Sequence, residues 1–155
     1  AINVLGIPMV VMGAKNLVIA ASHDGILIAD KHQSSYIKDC LSEIADESKY
    51  EERRWGTIKT IDNDEDDGIK SITKRIKVVE GKETPYHKHM KHTETITVLS
   101  GMGKLKLEGT EVDLLAGSTV SIAAGKAHSI KAIGSDLRCI EVCLGEANDD
   151  EILVE

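Results

Sequence analysis

The chain has 155 residues and a formal charge of −7. That length allows one domain of about 100–150 residues with a modest appendage. The acidic balance excludes nucleic acid or an anionic membrane surface as the main partner, because both call for a basic face. Phenylalanine is absent and the apolar mass is Ile, Val, Leu and Ala, which favours a β-branched core of sheet or barrel type. No apolar run approaches the ~18 residues of a membrane span, and no signal peptide is visible. Cys40, Cys139 and Cys143 form no C-x-x-C pair, so the expected setting is the reducing cytoplasm. The chain begins Ala-Ile-Asn, as expected of a processed or recombinant piece of something longer.

Residues 1–30 alternate short apolar runs with turn residues, and Asp24-Gly25 is a tight-turn signal. Three short strands are expected near 8–11, 17–21 and 26–29. They are too small a sheet to stand alone. Their apolar runs exceed what one helix covers, so a homodimer built partly by residues 1–30 is expected. Residues 34–46 read as a helix, with Ser34 or Ser35 as N-cap and Tyr36, Ile37, Cys40, Leu41 and Ile44 on one face. A charged connector at 47–54 divides an appendage, 1–50, from a main domain, 51–155. The acidic run at 62–67 lacks the spacing of a calcium loop and reads as a solvated hairpin tip.

From Ile69 onward short strands recur with turn signals between them. Ile72, Ile76 and Val78 share a face; so do Leu105 and Leu107, Val112 and Leu114, Val120 and Ile122, His128, Ile130 and Ala132, and Ile140, Val142 and Leu144. The acidic tail after them reads as frayed. About eight antiparallel strands closing as a jelly-roll or related barrel is the natural outcome.

The chemistry concentrates at residues 81–101. His87 and His89 are two apart, so on a strand both imidazoles leave the same face. Glu94 is an odd step further and needs a bend within 90–93, after which Glu94, Ile96 and Val98 share a face. Two imidazoles and a carboxylate suit a divalent metal, and His128 is the candidate fourth ligand. His92 is expected in the bend, facing solvent or supporting a ligand. His23 and His32 read as surface residues, as does Lys88.

This spacing resembles the first cupin motif, G(X)5HXH(X)3–4E(X)6G, at every fixed position from Gly81 to Gly101. The second motif, G(X)5PXG(X)2H(X)3N, is met by Gly117, Gly125 and His128, with Ala123 and Ala132 replacing its Pro and Asn. The resemblance implies a mainly β cupin, a double-stranded β-helix or jelly-roll-like barrel, preceded by a small β-rich segment and one helix. It implies His87, His89, Glu94 and His128 as ligands of one divalent ion per chain, zinc foremost, with Mn, Fe, Ni or Co as alternatives.

A finer resemblance spans the whole chain. The run VVMGAKNLVIAASHDGILIADKHQSSYIK, then Arg53-Arg54-Trp55-Gly56 and Lys74-Arg75-Ile76, resembles the C-terminal part of bacterial mannose-1-phosphate guanylyltransferases and the related type II mannose-6-phosphate isomerases. The transferase's own Gly-rich loop and catalytic Asp motif are absent from these residues, so this chain by itself is not expected to make GDP-mannose. The resemblance implies a sugar phosphate or sugar nucleotide as ligand. Three functions follow: a metal-dependent isomerase domain of GDP-mannose biosynthesis, a non-catalytic sugar-nucleotide-binding or oligomerising module, or a metal-dependent oxygenase. For isomerisation, Lys74 has inward parity and is the candidate catalytic cation, with a lowered pKa or a bound anion, or it snorkels to the barrel mouth. Arg138 is the candidate phosphate contact, and Trp55 is expected to cover one end of the barrel.

Overall fold

The computed structural model of the chain describes residues 1–22, 25–36, 49–147 and 150–154. They divide into two compact units, Ala1–Tyr50 and Glu51–Glu155. No helix among the described residues is long and apolar enough to cross a membrane.

In the first unit, β1 (Ile2–Asn3) runs parallel to β2 (Leu17–Ser22), which pairs antiparallel with β3 (Gly25–Asp30). Ile19 and Ala21 are buried there. The strand expected over 8–11 does not form. Asn3 instead turns the chain locally, with its side chain taking the Leu5 amide at 3.0 Å and giving a hydrogen bond to the Ile7 carbonyl at 2.9 Å. Such side-chain bonds offer the backbone an alternative to the ladder, and Val10 and Met12 are left exposed. The helix expected over 34–46 is not seen among the described residues, where the chain instead forms a 3-10 helix, Lys31–Tyr36, whose His32 amide is held by Asp30 at 2.7 Å. Residues 37–46 of that expectation lie outside the described residues, as does His23. His32 is exposed.

The second unit is a pair of antiparallel sheets. The first, in spatial order, is β11 (Thr119–Ile122), β8 (His92–Ser100), β13 (Leu137–Gly145), β6 (Ile69–Val78), β5 (Gly56–Asp66) and β4 (Tyr50–Arg53). The second is β10 (Thr110–Leu115), β9 (Met102–Leu107), β12 (His128–Ala132), β7 (His87–His89) and β14 (Glu151–Leu153). One core cluster takes Ile76, Val78, Ile96, Val98, Leu137 and Cys139 from the first sheet and Leu105, Leu114, Ile130 and Ala132 from the second. Trp55 packs against it. Both sheets keep open edges, so the closed barrel expected from the sequence is two facing sheets.

Three local findings matter for the site. The acidic run is the exposed far end of β5, and the β5–β6 turn follows at Asp67 and Gly68, which adopt φ of 48° and 78°, as a two-residue hairpin turn requires. On β13 the buried face is Leu137, Cys139, Glu141 and Cys143, which reverses the expected face of Ile140, Val142 and Leu144. Cysteine behaves as a small apolar residue, and Glu141 finds a cationic partner inside, so the interior accepts the less hydrophobic face. The acidic tail is not frayed: β14 pairs with β7, setting Glu151 opposite His89 and Leu153 opposite His87.

Candidate metal centre

Four elements converge at one end of the space between the sheets. Short β7 supplies His87 and His89, flanked by β12 and β14. Residues 90–91 bend the chain, and β8 starts again at His92 with Glu94 facing inward. His128 opens β12 directly opposite His87. One ring nitrogen from each of His87, His89 and His128 lies within 4.8 Å of the others. Glu94 and His128 are 3% and 2% exposed, so their polar atoms are shielded from bulk water, and His87 and His89 are part-buried.

The imidazoles are oriented from behind. Nδ1 of His87 donates to the Pro85 carbonyl at 2.8 Å, that of His89 to the Asp150 carbonyl at 3.1 Å, and that of His128 to the Lys126 carbonyl at 3.1 Å. A carbonyl only accepts, so each ring carries its proton on Nδ1 and leaves the Nε2 lone pair free, the arrangement of metal-binding histidines. Nε2 of His89 stands 3.2 Å from Glu94 Oε1, and Nε2 of His128 stands 3.0 Å from Glu94 Oε2. Yet Glu94 Oε2 is buried with no aligned hydrogen-bond donor among the described residues. Acceptors gathered on a shared point suit a bound cation, and a buried carboxylate oxygen without a partner is otherwise costly. The donor set therefore fits a divalent metal ion, with nitrogen and carboxylate ligands suited to Zn, Mn, Fe, Ni or Co.

Electrostatics point the same way at His87, His89 and Glu94, and the opposite way at His128. Burial pushes the His89 imidazole down to about 4 and also lowers His87, which keeps both neutral at pH 7. For Glu94 burial works against the charge, but the contacts with His128, His92 and His89 outweigh it and hold the carboxyl well below its usual range. For His128 burial opposes protonation, while the Glu94 carboxylate overcomes it and raises the pKa.

His92 is not solvent-facing. It is 3% exposed, with Nε2 3.4 Å from Glu94 Oε1 and Nδ1 3.2 Å from Asp150 Oδ2. It sits two residues before Glu94 on the same strand face, so the parity that turns Glu94 inward also buries His92. Asp150 completes this support by taking the Lys91 amide at 2.6 Å, which fixes the bend between His89 and His92. Nothing in the sequence singles out Asp150, because its role depends on the tail returning beside β7.

Lys74 lies inward on β6 with its side chain 23% exposed, and Nζ is 3.6 Å from Glu141 Oε1. Burial acts to lower its pKa, but Glu141 prevails and raises it. The expectation of a lowered pKa is corrected: Lys74 is a stable cation. Glu141, 7% exposed, is held protonated more readily than usual by burial and by the neighbouring Glu94 charge. The expected parity hid it; treating Cys139 and Cys143 as apolar would have exposed it. Arg138 is not brought to the cluster. Its side chain is 51% exposed on the opposite face of β13, 4.0 Å from Asp136.

The two-sheet fold and the inward His, His, Glu and His define the second unit as a cupin domain, and residues 74–143 match the sequence profile of the cupin domain family. KdgF from Halomonas sp. shares the fold, with a TM-score of 0.58 at 19% identity over 66% of this chain and 91% of that one. Over almost its whole length the chain is similar to one part of a longer kind of protein. It is 30% identical over 152 residues to the mannose-1-phosphate guanylyltransferase ManC of Salmonella typhimurium, covering 92% of this chain and 31% of that protein. It is 27% identical over 151 residues to the mannose-1-phosphate guanylyltransferase of Escherichia coli, again covering 92% and 31%. The chain thus spans about a third of the length of these relatives.

Proposed function

We propose that this chain is the metal-binding cupin part of a mannose-1-phosphate guanylyltransferase-like protein of GDP-mannose biosynthesis, and that the cupin interconverts mannose 6-phosphate and fructose 6-phosphate. The observation that carries the metal is the trio of imidazoles held through Nδ1, with Nε2 of His89 and His128 turned toward a buried carboxylate. His87, His89, Glu94 and His128 would hold one divalent ion, and a bound ion supplies a Lewis acid for oxygen that gains negative charge during isomerisation. Lys74 and Glu141 make the wall beside Glu94 polar, which favours a hydroxylated ligand over the apolar substrate of an oxygenase. Lys74 donates to a ligand oxygen and Glu141 accepts from a ligand hydroxyl. The free thiols of Cys139 and Cys143 suit the reducing cytoplasm.

The test has two parts. Elemental analysis of purified protein is expected to give about one divalent ion per chain, and Glu94→Gln, which keeps the shape of the side chain, is expected to weaken metal binding by more than ~100-fold. A metal-free protein that cannot be reloaded overturns the ligand set. The metal-loaded chain is then assayed for sugar-phosphate interconversion. Metal without turnover overturns the isomerase reading in favour of a non-catalytic sugar-nucleotide-binding or oligomerising module. The self-association expected of residues 1–30 belongs to the same proposal: Ile2, Ile7, Val10, Ile26 and Ile28 are exposed, and sedimentation that finds only monomer removes it.

A further inference from the structure

Beside the two histidine-containing groups, the described residues hold a buried group of metal-ligating side chains without histidine. Glu94, Glu141 and Cys143 each bring one donor atom within 4.8 Å of the others, and all three are buried. Their placement follows from register: Cys143 is the cross-strand partner of Glu94, and Glu141 shares the inward face of β13 with Cys143. Cys143 Sγ meets Glu141 Oε1 at 3.4 Å. A cation already stands against this group, because Lys74 Nζ is 3.6 Å from the same oxygen. Glu94 is shared with the histidine centre, where its Oε2 faces His128 Nε2 at 3.0 Å.

We propose that Glu94, Glu141 and Cys143 form a second metal site, for a thiophilic divalent ion such as zinc or cadmium, which the ion enters by displacing the Lys74 ammonium. Three protein ligands and a water complete the four positions that such ions prefer, and the thiol selects them over magnesium or calcium. Binding joins the metal to Sγ and to one oxygen of each carboxylate. The thiol proton passes to water, and no electron changes hands. Lys74 has a long flexible stem and a partly exposed side chain, so its head can move outward. The resident ammonium makes this the weaker of two metal sites. Glu94 serves both, so the order of filling rests on the centre proposed above.

Metal-free protein is titrated with cadmium while the near-ultraviolet cadmium–thiolate absorption is followed, with stoichiometry from calorimetry. In the unaltered chain a first equivalent is expected to bind without the thiolate band, and a second, weaker one with it. Lys74→Met removes the competing charge and is expected to tighten the second equivalent by at least about tenfold, whereas Lys74→Arg leaves it weak. Cys143→Ser is expected to abolish the band and spare the first equivalent. No band in either the unaltered chain or Lys74→Met overturns the proposal, as does a band that survives Cys143→Ser. Should Lys74→Met fail to fold, the Cys143→Ser comparison decides alone. A Cys143-dependent band with no earlier, band-free equivalent keeps this site and removes the histidine centre, so the two failures are told apart.

Discussion

The tail residue Asp150 gives the sharpest test of how the site is held. Asp150→Ala removes the carboxylate that takes the Lys91 amide at 2.6 Å and stands 3.2 Å from His92 Nδ1. The first contact is a charge-assisted hydrogen bond to a part-buried amide, and leaving that donor unpaired costs about 1.5–3 kcal/mol. The second lacks hydrogen-bond alignment and adds at most about 1 kcal/mol. The sum, about 1.5–4 kcal/mol, lowers Tm by at least ~6 °C for a domain of roughly 100 residues. The same change frees the bend between His89 and His92, and loss of such support typically weakens a metal site by about 10–100-fold. Asp150→Asn keeps an oxygen for the amide and is expected to fall between Ala and the unaltered chain. Calorimetry on chelator-treated protein measures the first effect, and competition with a chromophoric chelator measures the second. An Asp150→Ala protein whose Tm moves by less than ~2 °C and whose metal affinity moves by less than about threefold refutes the reasoning.

Three further outcomes are expected. In the metal-free protein His128 titrates above the usual imidazole value of 6.5, because Glu94 outweighs burial. Its proton therefore contributes stability that is present below pH ~6.5 and is lost as pH rises through the raised value. A metal competes with that proton, so metal affinity should fall as pH drops through the same raised value; a proton NMR titration that finds His128 below 6.5 refutes this. Gly103→Ala would set its Cβ 2.2 Å from the Lys131 carbonyl oxygen and 3.0 Å from Leu137 Cδ2, forcing β9 from β12 at a cost of about 3 kcal/mol or more, read by urea unfolding. Arg138→Ala, on the far face of β13, should change stability by less than about 0.5 kcal/mol and leave metal affinity alone; a tenfold or larger loss of affinity places Arg138 nearer the site than the fold does.

The convergence of the motif residues was legible because their signal is local. His87, His89 and Glu94 lie within one strand–bend–strand stretch whose parity can be read directly, and the fixed glycines mark its ends. Gly101 shows why such a position is constrained: its φ is 85°, and a Cβ there would fall 2.1 Å from the Asp136 carbonyl oxygen. The residues packed behind them were not legible, and the reasons are physical. Asp150 acts only because β14 returns beside β7, a contact between distant parts of the chain with no periodic signature. Glu141 was hidden by a parity rule that ranks Ile140 and Val142 as more interior than a strand containing cysteine and glutamate. Hydrophobicity assigns a face correctly when the interior is dry and uniform. Here the interior must also hold Glu94, whose charge is matched by histidines on one side, and Glu141, matched by Lys74 on the other. A buried carboxylate is tolerated where a cation stands opposite, so the polar face of β13 turns inward because β6 offers a lysine at the paired register position, Glu141 against Lys74. The reversed face of β13 is thus a consequence of the site's charge balance, and the same register pair separates Arg138 from the site and brings Lys74 to it.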